Sequence, residues 1–424
     1  MGRFIPTSSA LLFAAAVIAS CGPCPANNNY DSWLDQSGSC GVHVDPTPQA
    51  PACTPAPNTI CTVVGTGVAG LGTDNVRGVE SKTYLPQDVA VARTGIVYYA
   101  DWNNHQIRSL DLQFISHTIA GSGELNDGDA TENPQSMPSN EPQEALHHRL
   151  NHPTSISLDA NDNLLIAAWH SSQVKWVDLH TGILYTLVGT GIRGFGGDGG
   201  DAAAAILNLP VSVEIGPDGN MYIADQVNQR IRRVDHQSNV ITTIVGDGMR
   251  GYAGDNGPAS ASELNNPVGQ AAAPAGRIAF DSSGNFYIAD TGNNRIRRVG
   301  VDGMITTVAG IGTAGFSGDG GAATAAELNS PADVAVGRDG TLFIADTQNS
   351  CVRAVAPDGT IRTFAGQCGM RGFSGDTGAP AAAVLNRPYG IGIDDRGNLW
   401  IADTYNQRIR LVCAESGGPR CGTL

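Results

Sequence analysis

Apolar and polar residues alternate in short bursts along this chain, and the bursts recur. Within residues 331–366 the run PADVAVG is followed by the turn RDG, then TLFIAD, NSCVRAV, the turn PDG and TIRTFAG. Period-two alternation rich in Val, Ile, Phe and Thr, broken at Asp-Gly turns, predicts four short antiparallel strands. The phrase spanning the second and third runs, YIADTGNNRIRRV (287–299), returns as YIADQVNQRIRRV (222–234), FIADTQNSCVRAV (343–355) and WIADTYNQRIRLV (400–412). Weaker copies are YYADWNNHQIRSL (98–110) and LIAAWHSSQVKWV (165–177). Counted from the fourth residue, at Asp101, Ala168, Asp225, Asp290, Asp346 and Asp403, the copies lie 67, 57, 65, 56 and 57 residues apart.

A four-stranded sheet of this kind buries both faces only by stacking on copies of itself, and a unit near 57 residues suits one propeller blade. The fourth-strand phrase occurs as TIAG (118–121), TLVG (186–189), TIVG (243–246), TVAG (307–310) and TFAG (363–366), and is missing after the last unit. It occurs once ahead of the first, as TVVG (62–65). A strand near residue 62 therefore completes the last blade and closes a ring, which removes exposed edges. The expected fold is all-β: a six-bladed β-propeller of four-stranded antiparallel blades over 58–413. The two long spacings are taken up by EPQEALHHRLNHP (141–153) with its polar upstream stretch, and by VGQAAAPAG (268–276).

The unit GIGTAGFSGDGGAATAAELNSPADVAVGRDGTLFIADTQNSCVRAVAPDGTIRTFAG (310–366) resembles an NHL repeat, in the style of the teneurin β-propeller and of exported bacterial lipoproteins. That resemblance covers 58–413 and implies the propeller fold. It implies little about activity, because propellers of this family range from protein- and RNA-binding scaffolds to an amidating lyase.

Composition narrows the partners. The chain has 424 residues and a net charge of −15, so a phosphate backbone is repelled and no nucleic-acid partner is expected. Arg3 followed by LLFAAAVIA (11–19) reads as an export signal, and Ile18-Ala19-Ser20-Cys21 resembles a bacterial lipobox that would lipidate Cys21. An ordinary cleaved signal with unmodified Cys21 is the other reading. Either way the mature protein is expected outside the cytosol, on the envelope through a lipid anchor or secreted. Residues 22–57 read as a Cys- and Pro-rich tether, and 414–424 as a tail. With Cys21 set aside, eight cysteines remain, an even count that suggests disulfides in an oxidising compartment. Cys351 with Cys368, Cys61 with Cys413, and Cys413 with Cys421 are the pairings considered, the last two in competition.

The Asp of the phrase stands in five of six units, and seven residues on comes a cation in all six: Arg108, Lys175, Arg232, Arg297, Arg353 and Arg410. A residue needed in every blade reads as a structural tie. The loop GFSGDGG (315–321) and its copies lack the Lys-Ser/Thr of a phosphate loop and carry too few acids for calcium, so their glycines read as crossover backbone and the aromatic as a cap over apolar space.

Function is sought where the repeat fails. At one inner-strand position the blades read Asp88, Ser155, Ser212, Arg277, Asp333 and Gly390; two residues on they read Ala90, Ser157, Glu214, Ala279, Ala335 and Gly392. Asp88, Glu214, Arg277 and Asp333 are therefore the channel candidates for a polar ligand, with Arg277 neutralising Asp333 as the structural alternative. Trp102 and Trp169, with His147 and His148 in the long first loop, are the candidates for a binding face; clustered with His152 and His170, those histidines also raise zinc. The favoured reading is a non-catalytic, monomeric propeller that recognises a protein or glycan partner through its loop-bearing face, without cofactor. The alternative is a metal-dependent, lactonase-like hydrolase or a lyase with calcium or zinc on the axis.

Overall fold

In the computed structural model of the chain, residues 55–124, 142–269 and 273–414 are described. The segment read as an export signal, Cys21, most of the expected tether and nearly all of the expected tail lie outside them. Six antiparallel sheets surround one axis, five of them with four consecutive main strands running from inside to outside. The innermost strands are Pro86–Val91, Pro153–Leu158, Pro210–Ile215, Ile278–Phe280, Asp333–Val336 and Gly390–Ile393. These define blades one to six. Each hands over to its second strand through the predicted turn; Gly340, at φ 85°, is one glycine that such a turn requires.

The ring closes as expected. Ile60–Val64 pairs with Arg408–Val412 in the register Ile60↔Val412, Cys61↔Leu411 and Thr62↔Arg410, giving blade six its outer strand. The core lies between blades. Val89, Tyr99 and Leu110 of blade one pack on Trp400, Ile409 and Leu411 of blade six, for example, and Leu165, Ala167 and Val174 of blade two on Val213 and Ile223 of blade three. The disulfide Cys351–Cys368 forms, and Cys61 and Cys413 are each disulfide-bonded as well.

The repeated ions are ties. Asp346 accepts from the Asn329 backbone N–H at 2.8 Å and from Asn349 Nδ2 at 2.8 Å, and Arg353 joins it to Asp319 of the glycine-rich loop at 2.6 Å. The same set recurs around Asp225, Asp290 and Asp403. The loop aromatic does more than cap apolar space. Phe195, Tyr252 and Phe373 each lie under two arginines, Phe373 at 3.7 Å from the Arg408 guanidinium and 4.9 Å from that of Arg410. Each crossover also borders the outer edge of the blade it enters, as Val76–Arg77 and Gly257–Pro258 do.

Blade two departs from this plan. Ala168 takes the place of the Asp, and Lys175 donates to Thr186 Oγ1 at 2.7 Å, its amine pulled down to about 7 by burial.

Candidate functional site

The inner strands bring the four channel candidates into one cavity of about 300 Å³ on the axis. At its inner end Arg277 of blade four reaches across the ring. Its Nη1 lies 3.2 Å from Asp88 of blade one and 3.3 Å from Asp333 of blade five, and its Nη2 donates to the Thr154 carbonyl of blade two. The sequence pairing of Arg277 with Asp333 is thus half of a triad. Both aspartates also stitch neighbouring blades: Asp88 accepts the N–H groups of Val89 and Ile156, and Asp333 those of Val334 and Ile391, all at 2.8–2.9 Å. Gly390 makes this possible, because a Cβ there would lie 2.5 Å from Arg277 Nη1 and 2.2 Å from the Gln87 carbonyl. Burial raises the pKa of both carboxyls, and Arg277 opposes that rise.

One layer further along the axis, Ala90, Ala279, Ala335 and Gly392 leave space, and Glu214 and Ser157 border it. Burial, and then the charges of Asp88 and Asp333, push the Glu214 carboxyl well above the usual range. The Ser157 hydroxyl has no hydrogen-bond partner among the described residues, though the residue is only 6 % exposed.

The cavity has two unlike ends. On the strand-turn side Val91, Leu158, Ile215, Phe280, Val336 and Ile393 are all half-buried, forming an apolar mouth. On the loop-bearing side the axis is closed. Trp102 and Trp169 are 2 % and 1 % exposed, which corrects their placement on an open binding face. Their rings lie 6.3 Å apart and join one apolar cluster with Leu85, Leu209 and Tyr405, because a ring this size must fill its end with large side chains or leave a void. Trp169 donates from Nε1 to Gln226, whose amide holds the Pro267 and Ala273 carbonyls of the fourth-blade insertion.

His147 is exposed and paired with Glu144 at 2.9 Å, but His148 is buried against Gln143 and lowered to about 3 by that burial, so the two do not form a joint surface. His152 and His170 meet, Nδ1 to Nδ1 at 3.0 Å, in a packed group with His105, Trp102 and Trp169. His105 escaped notice in the sequence because it stands at an ordinary position of the repeated phrase. No group of three or more His, Cys, Asp or Glu among the described residues is arranged to hold a metal ion. The axis does not suit a divalent cation either: the guanidinium of Arg277 occupies the space between Asp88 and Asp333 that the ion would need, and both carboxylates are already engaged by backbone N–H groups.

The described chain matches the family model of the teneurin NHL domain over residues 259–356 and that of the NHL repeat over 385–410. It is 27 % identical over 284 residues to Protein SUPPRESSOR OF QUENCHING 1, chloroplastic, of Arabidopsis thaliana, covering 64 % of this chain and 25 % of that protein. It is 31 % identical over 301 residues to mouse (Mus musculus) Teneurin-3, covering 62 % of this chain and 10 % of that protein. The chain therefore spans a quarter or less of the length of these curated relatives. A solved structure of a protein of unknown function from Bacteroides thetaiotaomicron superposes with a TM-score of 0.60 at 18 % identity, over 83 % of this chain and 74 % of that one, a likeness of fold alone. Six stacked sheets carrying the repeat, and these matches, place the chain among the NHL-repeat β-propellers.

Proposed function

We propose that the chain is a non-catalytic binding propeller that holds a small ligand in its axial pocket. One observation carries this reading. The pocket has a charged inner end organised by the protein itself, Asp88–Arg277–Asp333, beneath an apolar mouth that opens on the strand-turn side. Concave pockets in which a small number of polar groups converge are the usual form of small-ligand sites. Its acidic side chains are Asp88, Asp333 and Glu214, and the two aspartates are tied up by Arg277 and by backbone N–H groups, which favours a binding role for the inner end. The test is ligand-observed NMR with a mixed fragment library on parent protein and on Ala279→Leu, which fills the layer beside Glu214. Hits lost in the variant support the reading; hits retained unchanged, or a calcium- or zinc-induced thermal shift abolished by Asp333→Ala, overturn it.

A second surface favours the protein or glycan partner on the loop-bearing face. Val68, Ile192, Met249 and Met370 occupy one position of the crossover loops and are each at least 50 % exposed. Single exposed apolar residues need no explanation, but the same crossover position carries one in four of the six blades. The Cys351–Cys368 disulfide accords with export, the setting in which an envelope partner would be met.

A further inference from the structure

We propose that the axial pocket takes a small organic cation: a primary ammonium group seated beside Glu214 and Ser157, above the Asp88–Arg277–Asp333 floor, with an aliphatic body toward the mouth. This rests on the reading of the pocket as a ligand site and names the ligand's chemistry.

Charge decides the class. Three carboxyl groups line the cavity, and Arg277 is the one cationic side chain among its lining residues. That guanidinium holds two carboxylates with Nη1 and the Thr154 carbonyl with Nη2, and only its buried Nε–H lacks a partner, so an incoming anion would meet carboxylates around that single donor. An ammonium offers three donors. The Glu214 carboxyl borders this space, outside the hydrogen bonds that its backbone makes in the strand ladder, and the Ser157 hydroxyl stands unpartnered in an almost fully buried residue lining the same space. An unsatisfied buried hydroxyl is costly, and a ligand donor would relieve it. Shape limits the body. A cavity of about 300 Å³ sits at the small end of ligand pockets, and Ala90, Ala279, Ala335 and Gly392 leave the layer around Glu214 open.

Binding also moves a proton. In the empty pocket burial, and then the charges of Asp88 and Asp333, raise the Glu214 pKa against the sole opposing charge of Arg277. At a pH where that carboxyl is protonated in the free protein, an arriving ammonium displaces its proton to solvent, and the carboxylate then accepts from the ligand. The balance is one RNH3+ bound and one H+ released, so affinity rises with pH until Glu214 titrates in the free protein.

Isothermal titration calorimetry with n-pentylammonium, n-pentanol and pentanoate, in two buffers of different ionisation heat, tests this. The ammonium is expected to bind at least about tenfold more tightly than the other two probes, with a buffer-dependent heat that reports proton release. Glu214→Gln is expected to weaken ammonium binding by about tenfold and to reduce the buffer and pH dependence to what the Asp88–Arg277–Asp333 floor contributes. Ser157→Ala, a milder change, is expected to weaken it by about two- to fivefold, and decides the matter if Glu214→Gln loses its native circular dichroism. Pentanol binding as tightly as the ammonium, or Glu214→Gln binding unchanged, overturns the cation and leaves the axial ligand site standing. If none of the three probes binds, the cation is overturned; if the fragment library is silent as well, the ligand site falls with it.

Discussion

Arg277 shows what a single residue can and cannot reveal in sequence. Its place in a row of otherwise small or acidic inner-strand residues marks it, and adjacency of blades pairs it with Asp333. Its second partner, Asp88, lies three blades away round the ring. Only the diameter of the closed ring decides whether a guanidinium spans it, and spacing along the chain carries no such information. The histidines were harder still, because burial set their behaviour. His105 is 6 % exposed and its pKa is lowered to about 4 by that burial. A group whose folded pKa lies below its unfolded value contributes stability above the unfolded pKa and loses it as pH falls through the folded one. The window here is about pH 6.5 to 4, and full loss from His105 amounts to about 3 kcal/mol. Gln stands at the equivalent position of blades three and six, so His105→Gln keeps the acceptor that His105 Nδ1 offers to the His152 N–H. Urea unfolding at pH 7 and pH 4 should show the variant losing about 3 kcal/mol less than the parent between the two. Equal losses in both proteins would mean that His105 takes up its proton as readily in the folded chain as in the unfolded one.

Blades are joined by a device that the repeat conceals by varying its residue. The turn between second and third strands ends at His105, Ser172, Gln229, Asn294, Ser350 or Gln407, every one at positive φ. Each side chain accepts from a backbone N–H at the entry to the next blade: those of His152, Leu209, Asn266, Ser330, Arg387 and, across the seam, Leu85. Four residue types share one role because only an acceptor of adjustable reach is required. The recurring Asp and Arg, replaced only in blade two, announced themselves as ties, whereas this position hid by tolerating substitution. Gln407 makes the shortest of the six contacts, 2.6 Å to Leu85 N, between the last blade and the first. Gln407→Ala leaves that N–H without its acceptor and should cost about 1–3 kcal/mol in chemical denaturation. Restoration by Gln407→Asn, the residue blade four uses, would assign the loss to the hydrogen bond and not to packing.

The ring as a whole depends on the strand Ile60–Val64, whose residues are all buried. Strand count, order and closure were legible because they follow from a tally of repeated phrases. Which mouth of the channel opens was not, because the plug of Trp102, Trp169 and Tyr405 is assembled from irregular positions in three blades. The strand's contribution can be isolated. Without it, the edge of Arg408–Val412 loses its ladder, Asp376 loses the Thr62 N–H, and the apolar faces of Ile60, Val63 and Val64 leave the clusters between blades five, six and one. Burying each such side chain is worth about 1.5–3 kcal/mol, so the three together rival the whole stability of a typical domain. Deleting residues 55–64 should therefore abolish the cooperative thermal transition and produce aggregates on size-exclusion chromatography, through the exposed edge. A circular permutant that starts in the first crossover near residue 70, and carries 55–69 after residue 414 through a short flexible linker, supplies the same strand to the same edge. It should regain the parent's circular dichroism and a single transition, since the ring needs the strand in place and not at one particular end of the chain. A deletion variant that melts like the parent would show that blade six stands on three strands, and the seam would then have no part in holding the axial pocket together.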